Sequence, residues 1–350
     1  MASTDRIVIG PTDTVRFVPP ASPPPVHHQS TSAPPPDFLG EHFPEHAFPA
    51  PPPLEQDHRR RCGRGYAAMA QARVAIAGLA RNLADVLPTT IRRVEHLGRL
   101  FADYRIFVYE NDSTDGTKDI LRAWAAKNRR VLVTSEDCHD PVNPTTRCLR
   151  RIDRMARYRQ RCQEAVLQRC ADFDHAIVVD FDVAGGWSAD GIASSFGHDD
   201  WDFIGSNGLI YRREGLAFNA LRQYDMWALR FDEHFTALPT KHADRYRYRR
   251  GEPLVPVTSC FGGLGIYTMP AFASGRYGST DIEHVVFHRE LRQRGFPRLF
   301  LNPSQILVYG RRHRFADAWL RRAAGALARV TGAQPQPWQF DVRPAARRAA

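Results

Sequence analysis

Lysine is nearly missing from this chain: only Lys118, Lys127 and Lys241 occur among 48 basic residues, so arginine carries the formal charge of +10. Arginines spread among many alanines reflect coding bias as readily as function, so the charge excludes little. It fits anionic partners such as nucleotide phosphates or phospholipid headgroups. A nucleic-acid-binding motif is also missing, so no nucleic-acid partner is expected. Long apolar runs are absent, and Met1 to Gly10 lacks the basic start and apolar core of a secretory signal. The expectation is a protein on the cytoplasmic side, with peripheral association at the inner face of a membrane as its nearest approach to lipid. Cysteine pairs at metal-binding spacing are lacking too: residues 62, 138, 148, 162, 170 and 260 are scattered and read as free thiols. Periodic apolar content is scarce over residues 1–60, where 14 of the 26 prolines fall. That segment is predicted to be a disordered, extended tail.

From about Arg73 short apolar runs alternate with helical stretches. Strands are expected at 74–80, 105–109, 131–134 and 176–180, with helices at about 85–101, 118–128 and 146–170 between them. This alternation predicts an α/β fold with a mostly parallel central sheet and helices on both faces. Further on, 203–205 and 208–211 read as two strands, 261–267 as a glycine-interrupted strand, 282–293 as a helix, and 299–301 with 306–309 as closing strands. An irregular basic loop is expected around 242–250, and an amphipathic helix over 314–331.

Chemistry concentrates where strands end, which is where an open α/β sheet binds ligands. The run Tyr109-Glu-Asn-Asp-Ser-Thr-Asp-Gly-Thr117 joins the second strand to a helix. Its carboxylates can accept from ribose hydroxyls or base N–H groups. The same residues also suit a plain helix start, with Ser113 or Asp112 as N-cap. The spacing of Asp180-Phe181-Asp182 is weak evidence alone, since Asp172-Phe173-Asp174 and Asp200-Trp201-Asp202 share it. Only Asp180 and Asp182 follow an unbroken apolar run, and two acids there without a counter-cation would be costly. Oxygen ligands of this kind suit Mn²⁺ or Mg²⁺. A second polar cluster, Asp281-Ile-Glu-His284-Val-Val-Phe-His288, puts two histidines one helical turn apart. The glycines of Ser259 to Gly265 allow close backbone approach or a bulged core strand. Tyr224, Asp225 and Trp227 offer an aromatic platform beside a carboxylate, or ordinary core.

Taken together, the strand ending in Arg81-Asn82, the turn Tyr109 to Thr117, Asp180-Phe181-Asp182 and the downstream Glu283, His284 and His288 resemble GT-A-fold glycosyltransferases. The wording of these segments together resembles the fungal capsule-associated α-1,3-mannosyltransferase family and its bacterial relatives, and more loosely family 2 enzymes. The resemblance covers roughly residues 73–310. It implies a GT-A-like domain over 61–335, with a nucleotide-binding half at about 73–183, an acceptor half at about 184–312, and a tail at 336–350. It further implies transfer of a hexose, with mannose as candidate, from a GDP- or UDP-hexose to a glycan or lipid-linked acceptor. Arg81, Asn82, Glu110, Asn111, Asp112 and Asp180 would contact the donor, with Asp180 and Asp182 on the metal and His284 or His288 completing its shell. Glu283, then Asp281, would activate the acceptor, which Tyr224, Asp225, Trp227, Gly262 and Gly263 would hold. Retaining and inverting courses both stay open. The acids at 180 and 182 would equally serve a metal-dependent phosphohydrolase or nucleotidyltransferase, and the arginines a nucleic-acid-binding protein.

Overall fold

The computed structural model describes residues 42–144, 146–214 and 217–311. The expectations for residues 1–41, the helix at 314–331 and the tail at 336–350 lie outside them. The expected disorder of 1–60 needs correction in its last part, because α1 runs over Pro52–Met69. Pro52 and Pro53 sit in its first turn, where a helix has no use for the missing N–H, so proline there starts a helix rather than preventing one.

The elements then follow as β1 (Arg73–Ala80), α2 (Leu87–Gly98), β2 (Asp103–Asn111), α3 (Thr117–Lys127), β3 (Val131–Glu136), α4 (Leu149–Cys170) and β4 (His175–Val179). After these come β5 (Gly186–Trp187), α5 (Ala189–Phe196), β6 (Phe203–Glu214), β7 (Ala217–Gln223), β8 (Val255–Pro256), β9 (Leu264–Thr268), α6 (Met269–Ser274), α7 (Glu283–Gln293) and β10 (Leu299–Arg311). The two strands expected at 203–211 are one, as are those at 299–309. The glycines of the expected 261–267 strand lie mostly in the turn before β9. A short 3-10 turn, Thr240–Arg245, interrupts the basic loop.

One sheet holds the molecule together, in the order β3-β2-β1-β4-β9-β6-β10-β5, with β7 beside β6 and β8 beside β10. β1 to β4, β6 and β10 all run the same way, and β9 runs against its neighbours β4 and β6. The sheet is therefore mostly parallel by direction, as expected. Both faces are covered, because alternate residues of each central strand point oppositely. Ala75, Ala77, Ala176 and Val178 pack with Ile152 and Val166 of α4 and Phe287 of α7. Val74, Ile76, Ile177 and Val179 pack with Leu87 and Val94 of α2, Leu121 of α3 and Ile192 of α5. Full burial of each large aliphatic side chain contributes about 1.5–3 kcal/mol, which is why these strands read as near-continuous apolar runs.

Candidate active site

Because β1 pairs in parallel with both β2 and β4, the residues after all three emerge on one edge of the sheet. Asp180 and Asp182 follow β4 there. Phe181 between them is 1% exposed and packs over Gly78 of β1, where an added Cβ would lie 2.3 Å from its ring. The Thr90 hydroxyl of α2 donates to the Phe181 carbonyl (2.9 Å), and Arg93 Nη1 donates to the carbonyls of Val183 (3.3 Å) and Ala184 (2.9 Å). Burial of the middle residue thus turns the two flanking carboxylates toward the site.

Around them the fold gathers residues from the second half of the chain. Arg159 of α4, 5% exposed, donates from Nη2 to Asp180 Oδ1 (2.9 Å) and from Nε to Glu283 Oε1 (3.1 Å). The other carboxylate oxygen of Glu283 is buried without a protein partner. Asp225 accepts from the backbone N–H of Gly262 and of Ala228, both at 3.3 Å. Asp180 N–H donates to the Gly263 carbonyl (2.9 Å), so the glycine turn ties Asp225 to Asp180. Gly262 and Gly263 have φ of 65° and 90°, a region only glycine enters freely, and Cβ atoms there would meet Ser206 and Leu307. Their role is close backbone packing. The Tyr309 hydroxyl of β10 donates to Asp182, and the Tyr309 ring stacks on Tyr224 at 4.2 Å, giving the acids an aromatic wall.

The electrostatics follow from this crowding. Burial, reinforced by the charges of Asp182 and Asp225 and only partly offset by Arg159, pushes Asp180 up to about 7. Asp225 is raised as well, by burial and by Glu283. Acids held so close, with one buried arginine among them, form a site that a divalent cation would neutralise. The hard oxygens of Asp180 and Asp182 suit Mn²⁺ or Mg²⁺.

Several expected site residues have other duties. Glu110 is fully buried, accepting from Ser113 N–H (2.8 Å) and from the Ser135 hydroxyl. It therefore anchors its own turn instead of facing a nucleoside. Asn111 is 3% exposed and donates to Asp112 (2.8 Å). Neither Ser113 nor Asp112 caps α3, whose N-cap is Gly116. Ser113 Oγ accepts from Asn82 N–H (3.0 Å), while Asn82 Oδ1 accepts from Thr114 N–H (2.8 Å), lacing the β1 turn to the β2 turn. Arg81 holds the loop after β3 through the carbonyls of Asp140 and Pro141. Among the described residues, the one group of three ligand-type side chains within 4.8 Å is Asp112, Cys138 and Asp140. Both acids there are already engaged, Asp112 by the N–H groups of His139 and Asp140, and Asp140 by Arg157 and Tyr158.

In the second half, Asp281 accepts from Arg147 Nη2 (2.7 Å) and from Ile282 N–H (2.7 Å), with buried Arg230 at 3.7 Å. It is an ion-pair and helix-start residue, so the catalytic role expected for it passes to Glu283. His288 is also reassigned: it is 0% exposed, and its nitrogens meet Ser259 Oγ (2.9 Å) and Tyr267 Oη (3.0 Å), leaving none for a metal. His284 stacks on Phe261 at 3.8 Å with both ring nitrogens unpartnered, and burial with the nearby Arg159 charge holds it well below the usual histidine range. Trp227 packs against the core with the Arg151 guanidinium 5.3 Å from its ring. Sequence reasoning missed Arg159 and Tyr309. Arg159 was detectable, since it falls among Ile152, Ala156, Gln163 and Val166 on the buried stripe of an otherwise arginine-studded helix.

A family model described as Cryptococcal mannosyltransferase 1 matches residues 73–299. No curated protein matches the sequence. Among solved structures, mannosyltransferase PcManGT from Pyrobaculum calidifontis, in complex with GDP-Man and Mn²⁺, is 14% identical with a TM-score of 0.44, covering 83% of this chain and 78% of its own. GalNAc-T7 with UDP, GalNAc and Mn²⁺ is 12% identical at a TM-score of 0.45, covering 80% of this chain and 57% of its own. Glucosyl-3-phosphoglycerate synthase from Mycobacterium tuberculosis, in complex with UDP, is 17% identical at 0.40, covering 77% and 83%.

Proposed function

The chain belongs to the cryptococcal mannosyltransferase 1 family, and from that premise we propose that this glycosyltransferase moves mannose from a nucleoside-diphosphate donor to a glycan or lipid-linked acceptor. The observation that carries the reading is the convergence of Asp180, Asp182, Asp225 and Glu283 on one sheet edge around buried Arg159. Asp180 and Asp182 would hold Mn²⁺ or Mg²⁺ against the donor diphosphate. The metal, when bound, neutralises negative charge that builds on the departing nucleoside diphosphate. The nucleoside would lie over the turns after β1 and β2, where exposed Asn82 and the Arg81–Asp112 pair offer polar contacts.

Glu283 suits the proton transfer from an acceptor hydroxyl. One of its oxygens is fixed by Arg159 and the other is free, so a hydroxyl reaching the free oxygen meets an oriented carboxylate. Tyr224 and Tyr309, beside Asp182, provide an apolar wall for a sugar face. Asp225, raised by burial, is the second carboxylate close enough to serve.

Calorimetric titration with GDP, UDP and their hexose conjugates, with and without Mn²⁺, tests the reading. Metal-dependent binding of one nucleotide series is expected, weakened more than ~100-fold by Asp182→Asn. Binding indifferent to both Mn²⁺ and Asp182→Asn would refute it. Glu283→Gln should lower turnover by about 10²–10⁴ while leaving donor affinity unchanged. Equal turnover would remove Glu283 from the reaction.

A further inference from the structure

At the edge of the sheet opposite the acids lies a cavity of about 320 Å³, bordered by the start of β4, the end of α5, and the residues leading into β6 and β10. His175 at this edge stands five positions before Asp180, which places the two sites roughly 16 Å apart at ~3.3 Å per residue. Donor and acceptor at the reaction centre therefore do not fill it. Phe196 and Trp201 form its apolar wall, with their rings 6.0 Å apart, and the His175 ring lies 5.4 Å from Trp201. Nδ1 of His175 and Nε2 of His198 are buried with no protein partner, and both rings border the cavity.

We propose that this cavity is a second carbohydrate site, taking one neutral hexopyranose unit of a glycan. Three features favour that class. Aromatic walls with a few polar groups match the apolar face and the hydroxyl rim of a sugar ring. Burial holds His175 and His198 down at about 4, so both are neutral imidazoles near pH 7, and a hydroxyl can donate to or accept from either. The arginine that borders the cavity, Arg298, is already paired to Asp202 (2.8 Å) and Asp200 (3.4 Å). Its guanidinium is thus spent on carboxylates rather than held open for an anion. The choice of a sugar over another neutral polyol rests on the glycosyltransferase reading. A glycan held here would keep its chain tethered while one end occupies the reaction centre.

Saturation-transfer NMR on the full chain, without metal or nucleotide, would use methyl α-D-mannopyranoside, methyl β-D-glucopyranoside and inorganic phosphate as probes. Transfer to at least one glycoside and none to phosphate is expected. It should survive Asp182→Asn and weaken about 5–10-fold in His198→Ala, the worth of one hydrogen bond. Asp200 is 90% exposed, so Asp200→Asn keeps the test open if His198→Ala does not fold, and it should weaken binding in the same sense. No transfer to either glycoside, binding of phosphate, or transfer lost in Asp182→Asn but intact in His198→Ala or Asp200→Asn would overturn the proposal. Loss of Mn²⁺-dependent nucleotide binding with glycoside binding intact would sink the transferase reading alone.

Discussion

Arg159 carries an unusual load, because one buried guanidinium neutralises both the first strand-end aspartate and the carboxylate at the start of α7. Arg159→Met should cost about 3–5 kcal/mol, since it leaves two buried charges without a partner. Urea denaturation measures that loss, and added Mn²⁺ should recover more stability in the variant than in the wild type. Arg159→Lys should rescue only part of it, because an ammonium cannot present the two-pronged geometry. His288 permits a pH prediction with a definite sign. Burial lowers it from 6.5 to about 3, so between those values the unfolded chain binds a proton that the folded chain refuses. Stability is therefore full above about pH 6.5 and falls as pH drops toward 3. His284, shifted in the same direction, adds to that slope. His288→Asn should flatten the fall in unfolding free energy below pH 6.5, and an unchanged slope would show that this histidine does not titrate on unfolding. At this scale the sequence revealed which acids end a strand, because an apolar run before Asp180 is a local pattern. It did not reveal that Glu110 is spent on Ser113 and Ser135, since that depends on a neighbouring strand.

The segment from β4 into the Asp180-Phe181-Asp182 turn works as a unit with β1 and α2. Gly78 leaves room for the Phe181 ring, and Thr90 and Arg93 of α2 hold the chain on either side of Asp182. Gly78→Ala should destabilise by about 1–3 kcal/mol through overpacking and should weaken Mn²⁺ binding as well, because the displaced ring carries both aspartates with it. Phe181→Leu, which keeps an apolar anchor, should lose less of each. Metal titration run beside chemical denaturation separates the two effects; metal affinity untouched in Gly78→Ala would mean that the ring does not position the acids. Helix α1 shows why the proline-rich reading failed. Apolar periodicity there is interrupted by charge, yet His58, Cys62 and Met69 face inward, Cys62 Sγ bonds to the Asp190 carbonyl (3.2 Å), and the Tyr66 hydroxyl donates to Asp190 (2.8 Å). What it packs against, α5, lies over a hundred residues away and could not be read locally.

For the whole molecule, the sheet sorts function by edge: acids and the glycine turn at one end, the histidine-lined cavity at the other. α1 and α5 close one face, so removing residues 1–71 should lower the thermal midpoint by many degrees, and Met69→Ala alone should cost about 2–5 kcal/mol. A deletion that melts with the full chain would show that α1 is dispensable. Among the described residues no helix is long and apolar enough to cross a membrane, in line with the absence of long apolar runs. The sequence alone determined the alternating α/β order, the mostly parallel sheet and the strand-end position of Asp180 and Asp182, because burial periodicity and turn chemistry act over a few residues. Tertiary structure decided which polar groups meet: Arg159 between Asp180 and Glu283, Tyr309 on Asp182, Asp225 tied to the Gly262 turn, and His288 locked between Ser259 and Tyr267. Such pairings join residues far apart in the chain, and only the strand order brings them within hydrogen-bonding distance.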